Sequence, residues 1–152
     1  ECVCEETTRI APAIGGGNFL ILAETQAQAL EASERAITAM RRVPNVIMPF
    51  PGGVVRSGSK VGSKYKALPA STNDRYCPTL KGLVDSALGA EVGAVLEIVI
   101  DGLDTASIDA ATRVGIEAAC RMGRKRGIIA ISAGNYGGSL GPYHFKLREI
   151  LR

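Results

Sequence analysis

Tryptophan is absent from this sequence, and histidine occurs only once, at His144. A structural zinc site takes four sulfur or nitrogen ligands. One histidine beside cysteines at 2, 4, 77 and 120 offers no recognisable set, so no metal is expected. His144 also lacks the serine or cysteine arrangement of a catalytic triad and is read as structural. The four cysteines do not have the spacing of a disulfide framework. Reduced thiols in a cytoplasmic protein are the expectation. Long apolar runs are missing too: the longest, Val92–Ile100, contains Glu97 and is too short to span a bilayer. Glu1-Cys-Val-Cys-Glu-Glu has neither the basic nor the apolar region of a secretory signal. It reads as a cut in an extended strand, so residues 1–152 are expected to form one domain of a longer protein. Low-complexity tracts and heptad repeats are absent, and so is the GxxxxGK[ST] phosphate loop.

What is present is an ordinary globular balance, 46% hydrophobic and 22% charged, in a chain long enough to bury one core. The 18 glycines favour tight turns and close backbone approaches. The net charge of +3 is unevenly spread. Pro49–Thr79 carries Arg56, Lys60, Lys64, Lys66 and Arg75 against Asp74 alone, a balance of +4 that leaves the remainder near −1. Basicity this local suits one anionic ligand site better than a general nucleic-acid surface.

Two similar units follow one another. Gly15–Ala23 reads as a turn and a buried strand. Thr25-x-x-Gln28 is a capping box for a helix whose apolar face would be Ala27, Leu30, Ile37 and Met40. Pro44-Asn45 ends the unit before the short strand Val46–Met48. Val92–Asp101 is a second strand, and Asp104 or Thr105 caps a second helix with Ile108, Ala111, Gly115, Ala118, Ala119 and Met122 inward. Arg121, Arg124, Lys125 and Arg126 collect at its C-terminal end, Gly127 stops it, and Ile128–Ser132 is a strand. Phe145 and Leu147 suggest a last strand or edge segment. Two strand–helix–strand units in series predict an α+β, ferredoxin-like split-βαβ sandwich: an antiparallel sheet with two helices on one face. Phe50–Gly89, a long insertion between the units, is expected to be structured and functional. The sheet's other face must meet water, another lobe or another subunit.

Four features can carry chemistry. Arg56-Ser-Gly-Ser-Lys60-Val-Gly-Ser-Lys64-Tyr-Lys66 has glycines for close approach and Ser57, Ser59 and Ser63 as hydroxyl donors beside the lysines. It is either a cradle for phosphate or carboxylate groups or a solvated loop. Ser71, Thr72, Asn73 and Asp74 either close a turn on their own backbone or bind a polar ligand. Glu97 alternates away from Leu96, Ile98 and Ile100 and stands between Val95 and Val99. Partial desolvation there would raise its pKa and suit it to proton donation; a paired or exposed strand glutamate is the alternative. Ser132-Ala-Gly-Asn-Tyr-Gly-Gly138 either turns the chain or presents backbone N–H groups to an anion.

These segments resemble, in order, the motifs of the formylmethanofuran–tetrahydromethanopterin formyltransferases. The matching stretches are Gly15-Gly-Gly-Asn-Phe, Pro49-Phe-Pro-Gly-Gly, Ser59-Lys-Val-Gly-Ser-Lys64, Leu68-Pro-Ala-Ser-Thr-Asn-Asp74 with Tyr76-Cys-Pro78, Glu97-Ile-Val-Ile, Val114-Gly-Ile-Glu-Ala-Ala-Cys120 and Ile131-Ser-Ala-Gly-Asn135. Lys81–Gly93 departs from the pattern. The resemblance is to the second, C-terminal lobe of a two-lobed family. It implies formyl transfer between methanofuran and N5 of tetrahydromethanopterin, in methanogenesis or bacterial one-carbon metabolism, with these co-substrates and no permanently bound cofactor. It also implies a cleft between lobes near a subunit interface. Glu97 falls on the family's active-site glutamate. The residues then expected to hold substrate are Lys60, Ser63, Lys64, Ser71, Thr72, Asn73, Asp74, Arg75, Tyr76 and Asn135. Partners implied are the missing N-terminal lobe and either identical subunits or those of a formyltransferase/hydrolase complex, with neither nucleic acid nor membrane. The alternative is a non-catalytic lobe serving assembly.

Overall fold

The computed structural model describes residues 3–7, 10–61, 65–68, 70–134 and 141–152. Its centre is a pair of long antiparallel strands, β1 (Ile14–Ala23) and β6 (Ala94–Gly102), in register with Leu20 opposite Glu97 and Asn18 opposite Val99. Between them in sequence come β2 (Val46–Ile47), β3 (Val55–Arg56), β4 (Ser59–Val61) and β5 (Ala70–Thr72); β7 (Ile128–Ser132) follows. The main sheet runs β2-β6-β1-β7, every pairing antiparallel. β3 joins the same edge of β6 as β2, setting Val55 opposite Glu97. β4 and β5 form a separate two-stranded ribbon.

Two helices cover one face of the sheet. α1 (Gln26–Met40) starts at the expected capping box: the Gln28 N–H donates to Thr25 Oγ1 and the Thr25 N–H to Gln28 Oε1. α2 (Thr105–Cys120) is capped by Asp104, whose Oδ1 accepts the Ser107 N–H at 2.7 Å. Phe19, Ile21, Ile98 and Ile100 point beneath them into the principal core.

Three local expectations are corrected. The buried stripe of α1 is Ala29, Ala32, Ser33, Ala36, Ile37 and Met40, while Ala27 and Leu30 face outward. Small side chains win this face because α1 lies close against α2. A methyl group on Gly115 would stand 2.6 Å from Met40 Sδ, inside contact distance. α2 stops at Cys120, and Arg124–Arg126 form a separate 3-10 turn entered through Gly123 at φ 66° and left through Gly127 at φ 77°. Its basic residues therefore do not continue the helix; Arg126 pairs with Glu31 and Arg124 with Glu91. The last element is a short helix, α3 (Leu147–Ile150), in place of a strand.

The insertion is structured over its described residues. It carries β3, the β4–β5 ribbon and 3-10 turns at Pro51–Gly53, Asp74–Tyr76 and Pro78–Leu80. Lys81 Nζ ties it to the segment leading into β6 through the carbonyls of Ala90 and Val92. On the sheet face away from the helices, Tyr76 and Leu88 pack over Leu20, Leu22, Val92 and Val95. Part of the face expected to be open is thus covered by the chain itself. Among the described residues no helix is long and apolar enough to cross a membrane.

Candidate functional site

Strand alternation decides which side chains reach the face away from the helices. From β6 these are Val95, Glu97 and Val99; from β1 they are Asn18, Leu20 and Leu22. Most of these positions are apolar, which makes Glu97 and Asn18 exceptional. Because Leu20 sits opposite Glu97, Asn18 is its diagonal neighbour, within reach of a long side chain.

The two are bonded. Asn18 Nδ2 donates to Glu97 Oε1 at 2.7 Å, and the backbone N–H of Gly58 donates to Oε2 at 2.6 Å. Glu97 is 7% exposed, and each of its oxygens is engaged. A buried carboxylate requires such partners. Gly58 arrives because β3 pairs with β6 and the next turn folds over it, with the Ser57 N–H donating to the Val95 carbonyl at 3.4 Å. The Gly58 carbonyl then accepts the N–H of buried Asn73 at 3.1 Å. A continuous path of bonds thus joins Asn73, Gly58, Glu97 and Asn18.

Glu97 lies in the floor of a cleft of about 970 Å³. Lys60, Asn73, Arg75 and Tyr76 line it with Glu97, so five of the predicted site residues converge there. Two of the basic groups already have partners. Lys60 Nζ sits 2.6 Å from Asp74 Oδ1, and Arg75 reaches the carboxylate and the carbonyl of Asp85. The Lys60 hydrogen bond is the main reason the Asp74 carboxyl is held below the usual range. Ser71 and Thr72 lie in β5, paired with Lys60 and Ser59, instead of closing a turn on themselves. Ser63, Lys64 and Asn135 lie outside the described residues.

Some lining residues went unrecognised. Asn18 belongs to the Gly-Gly-Gly-Asn-Phe stretch but was given no role, although a polar side chain on the non-helix face of a central strand marks it. Phe50 and Tyr143 form part of the rim, and His144, read as structural, is exposed in the cleft lining. No group of three or more histidine, cysteine or acidic side chains that could hold a metal occurs among the described residues.

Comparisons with known proteins cover nearly the whole chain. The family model described as FTR, proximal lobe, matches residues 1–150. A formylmethanofuran–tetrahydromethanopterin formyltransferase of Methylococcus capsulatus is 68% identical over 151 residues, covering 99% of this chain and 51% of the relative. The crystal structure of the formyltransferase/hydrolase complex of Methylorubrum extorquens with methylofuran superposes with a TM-score of 0.86 at 51% identity, over 92% of this chain and 46% of that one. The formyltransferase of Methanosarcina barkeri gives 0.83 at 49%, over 91% and 46%. The chain spans about half the length of the curated relatives it matches.

Proposed function

Because this chain belongs to the FTR proximal-lobe family, we propose that it is the C-terminal half of a formyltransferase acting between N-formylmethanofuran and N5 of tetrahydromethanopterin. In this reading it supplies one wall of an active site completed by an N-terminal lobe. The observation that carries it is the buried Glu97, gripped at both oxygens in the floor of the cleft. The reading takes the fold as a ferredoxin-like split-βαβ sandwich, supported by β2 and β1 lying parallel on either side of β6. It places the reaction in cytoplasmic one-carbon metabolism.

Attack of the N5 amine on the formyl carbon forms the new C–N bond and a tetrahedral oxyanion. Collapse breaks the bond to the methanofuran nitrogen, which takes up a proton as N5 loses one. A group beside both nitrogens that accepts and returns that proton, or that hydrogen-bonds the oxyanion, lowers the barrier. Glu97 fills that role. Each carboxylate oxygen engaged by Asn18 or Gly58 keeps a second lone pair for it. Lys64, and Lys60 and Arg75 on exchanging their exposed pairs with Asp74 and Asp85, answer the carboxylates of methanofuran, and any phosphate on the pterin, as counter-charges. Ser63, Ser71, Thr72, Asn73, Asp74, Tyr76 and Asn135 hold polar and ring parts of the co-substrates.

Glu97→Gln in the full-length enzyme tests the assignment. It is expected to lower kcat for formyl transfer by about a hundred- to ten-thousand-fold, the usual range for a general acid–base group. Unchanged formyl transfer would sink the catalytic role. It would favour a second reading, a non-catalytic assembly lobe, whose support is the likeness to a chain of the formyltransferase/hydrolase complex.

A further inference from the structure

The contacts of Glu97 single out a residue with no assigned role. Asn18 is half-buried on β1, and its amide meets Glu97 Oε1 at 2.7 Å across the β1–β6 pair. Gly134 packs against the same amide: a methyl group there would stand 2.2 Å from Nδ2 and 2.9 Å from Cγ. On the far side of the carboxylate, a methyl group on Gly58 would stand 2.8 Å from Oε2. The carboxylate therefore lies between two donors, the Asn18 amide packed against Gly134 and the Gly58 N–H. Glutamate has three rotatable side-chain bonds, and a cleft floor does not select one conformer. One donor on β1 and another in the turn after β3 do select one.

We infer that Asn18 is a positioning residue: its side-chain amide fixes the Glu97 carboxylate against the Gly58 N–H, so that the remaining lone pairs face the reacting nitrogens. The inference rests on the catalytic reading of Glu97 given above. Asn18 has no proton to exchange in this chemistry and acts through Glu97. Misplacement of a reacting group by about 1 Å costs on the order of a hundredfold in rate, and loss of the amide is expected to act on that scale.

The test is a double-mutant cycle in the full-length enzyme, with kcat and KM measured separately. Asn18→Ala is expected to lower kcat roughly ten- to a hundredfold with KM within about threefold. Asn18→Asp keeps the shape but turns a donor into an acceptor against Glu97, so it is expected to be the worse of the two. In the Glu97→Gln background, Asn18→Ala is expected to have almost no further effect. An undiminished loss in that background would overturn the inference, because Asn18 would then act independently of Glu97. So would an Asn18→Asp enzyme more active than Asn18→Ala. Far-ultraviolet circular dichroism and melting temperature identify a variant that fails to fold; Asn18→Ser, which keeps a short donor, then takes its place and is expected to fall between wild type and Asn18→Ala. Failure of the underlying reading shows separately, as full activity of Glu97→Gln alone.

Discussion

At the residue scale the geometry around Glu97 depends on what Gly58 leaves out. A methyl group at Gly58 would meet the end of the Glu97 side chain, 2.8 Å from Oε2, and not a backbone atom. An exposed, flexible glutamate would move aside at little cost. Glu97 is buried and bonded to Asn18, so moving it sacrifices the orientation of the carboxylate while the fold around it stays intact. Gly58→Ala is therefore expected to lower kcat by roughly ten- to a hundredfold, the scale of a misplaced reacting group, together with a lowered denaturant midpoint, because the buried carboxylate loses a partner. Parallel urea unfolding and steady-state kinetics check it. A loss of stability with activity preserved would show that the close contact is structural only. The neighbouring Lys60–Asp74 pair makes a weaker claim. Both side chains are more than a third exposed, and ion pairs of that kind add little to stability.

At the element scale the helix starts were the most legible features, because caps are local chemistry. Thr25 with Gln28, and Asp104, do what their spacing requires. Bonds from the Ser107 backbone N–H, and then from its hydroxyl, hold the Asp104 carboxyl below the usual carboxylate range. A carboxyl depressed in the folded state contributes stability in full above 3.8 and loses it as pH falls through the folded value. Asp104→Ala is accordingly expected to melt several degrees below wild type at neutral pH, with the gap narrowing below pH 3.8. A gap unchanged from neutral pH down to acid would show that the ionised cap is not what holds α2. Helix faces were less legible. Ala27 and Leu30 fit an apolar stripe on periodicity alone, but the face that is buried carries Ala29, Ala32, Ala36 and Met40, with Met40 against Gly115 of α2. That choice is made by the partner helix and is not written in α1. Glu97 could be placed on the correct face by alternation along β6. Its clamp could not, since Asn18 and Gly58 lie 79 and 39 residues away in sequence and meet it only through strand register.

At the scale of the whole molecule, the sheet has one face sealed by helices and another that is covered in part. Tyr76 and Leu88 close it over Leu20 and Val95, and the cleft around Glu97 begins beside them. Phe50 and Tyr143, both in the cleft lining, remain 41% and 49% exposed. Small-molecule sites bury about 70–90% of a ligand's surface, and among the described residues rims this exposed leave room for a second wall. The relatives are about twice as long as this chain, which suits a second wall supplied from elsewhere. The half-site reading therefore makes a quantitative claim about binding. In calorimetric titration with tetrahydromethanopterin, the full-length enzyme is expected to bind at least about a hundredfold more tightly than residues 1–152 alone. This is because roughly half the enclosing contacts, and the pre-organisation they bring, are missing from the shorter chain. Equal affinity would mean that the cleft is complete within one lobe and that the other half serves something besides substrate enclosure.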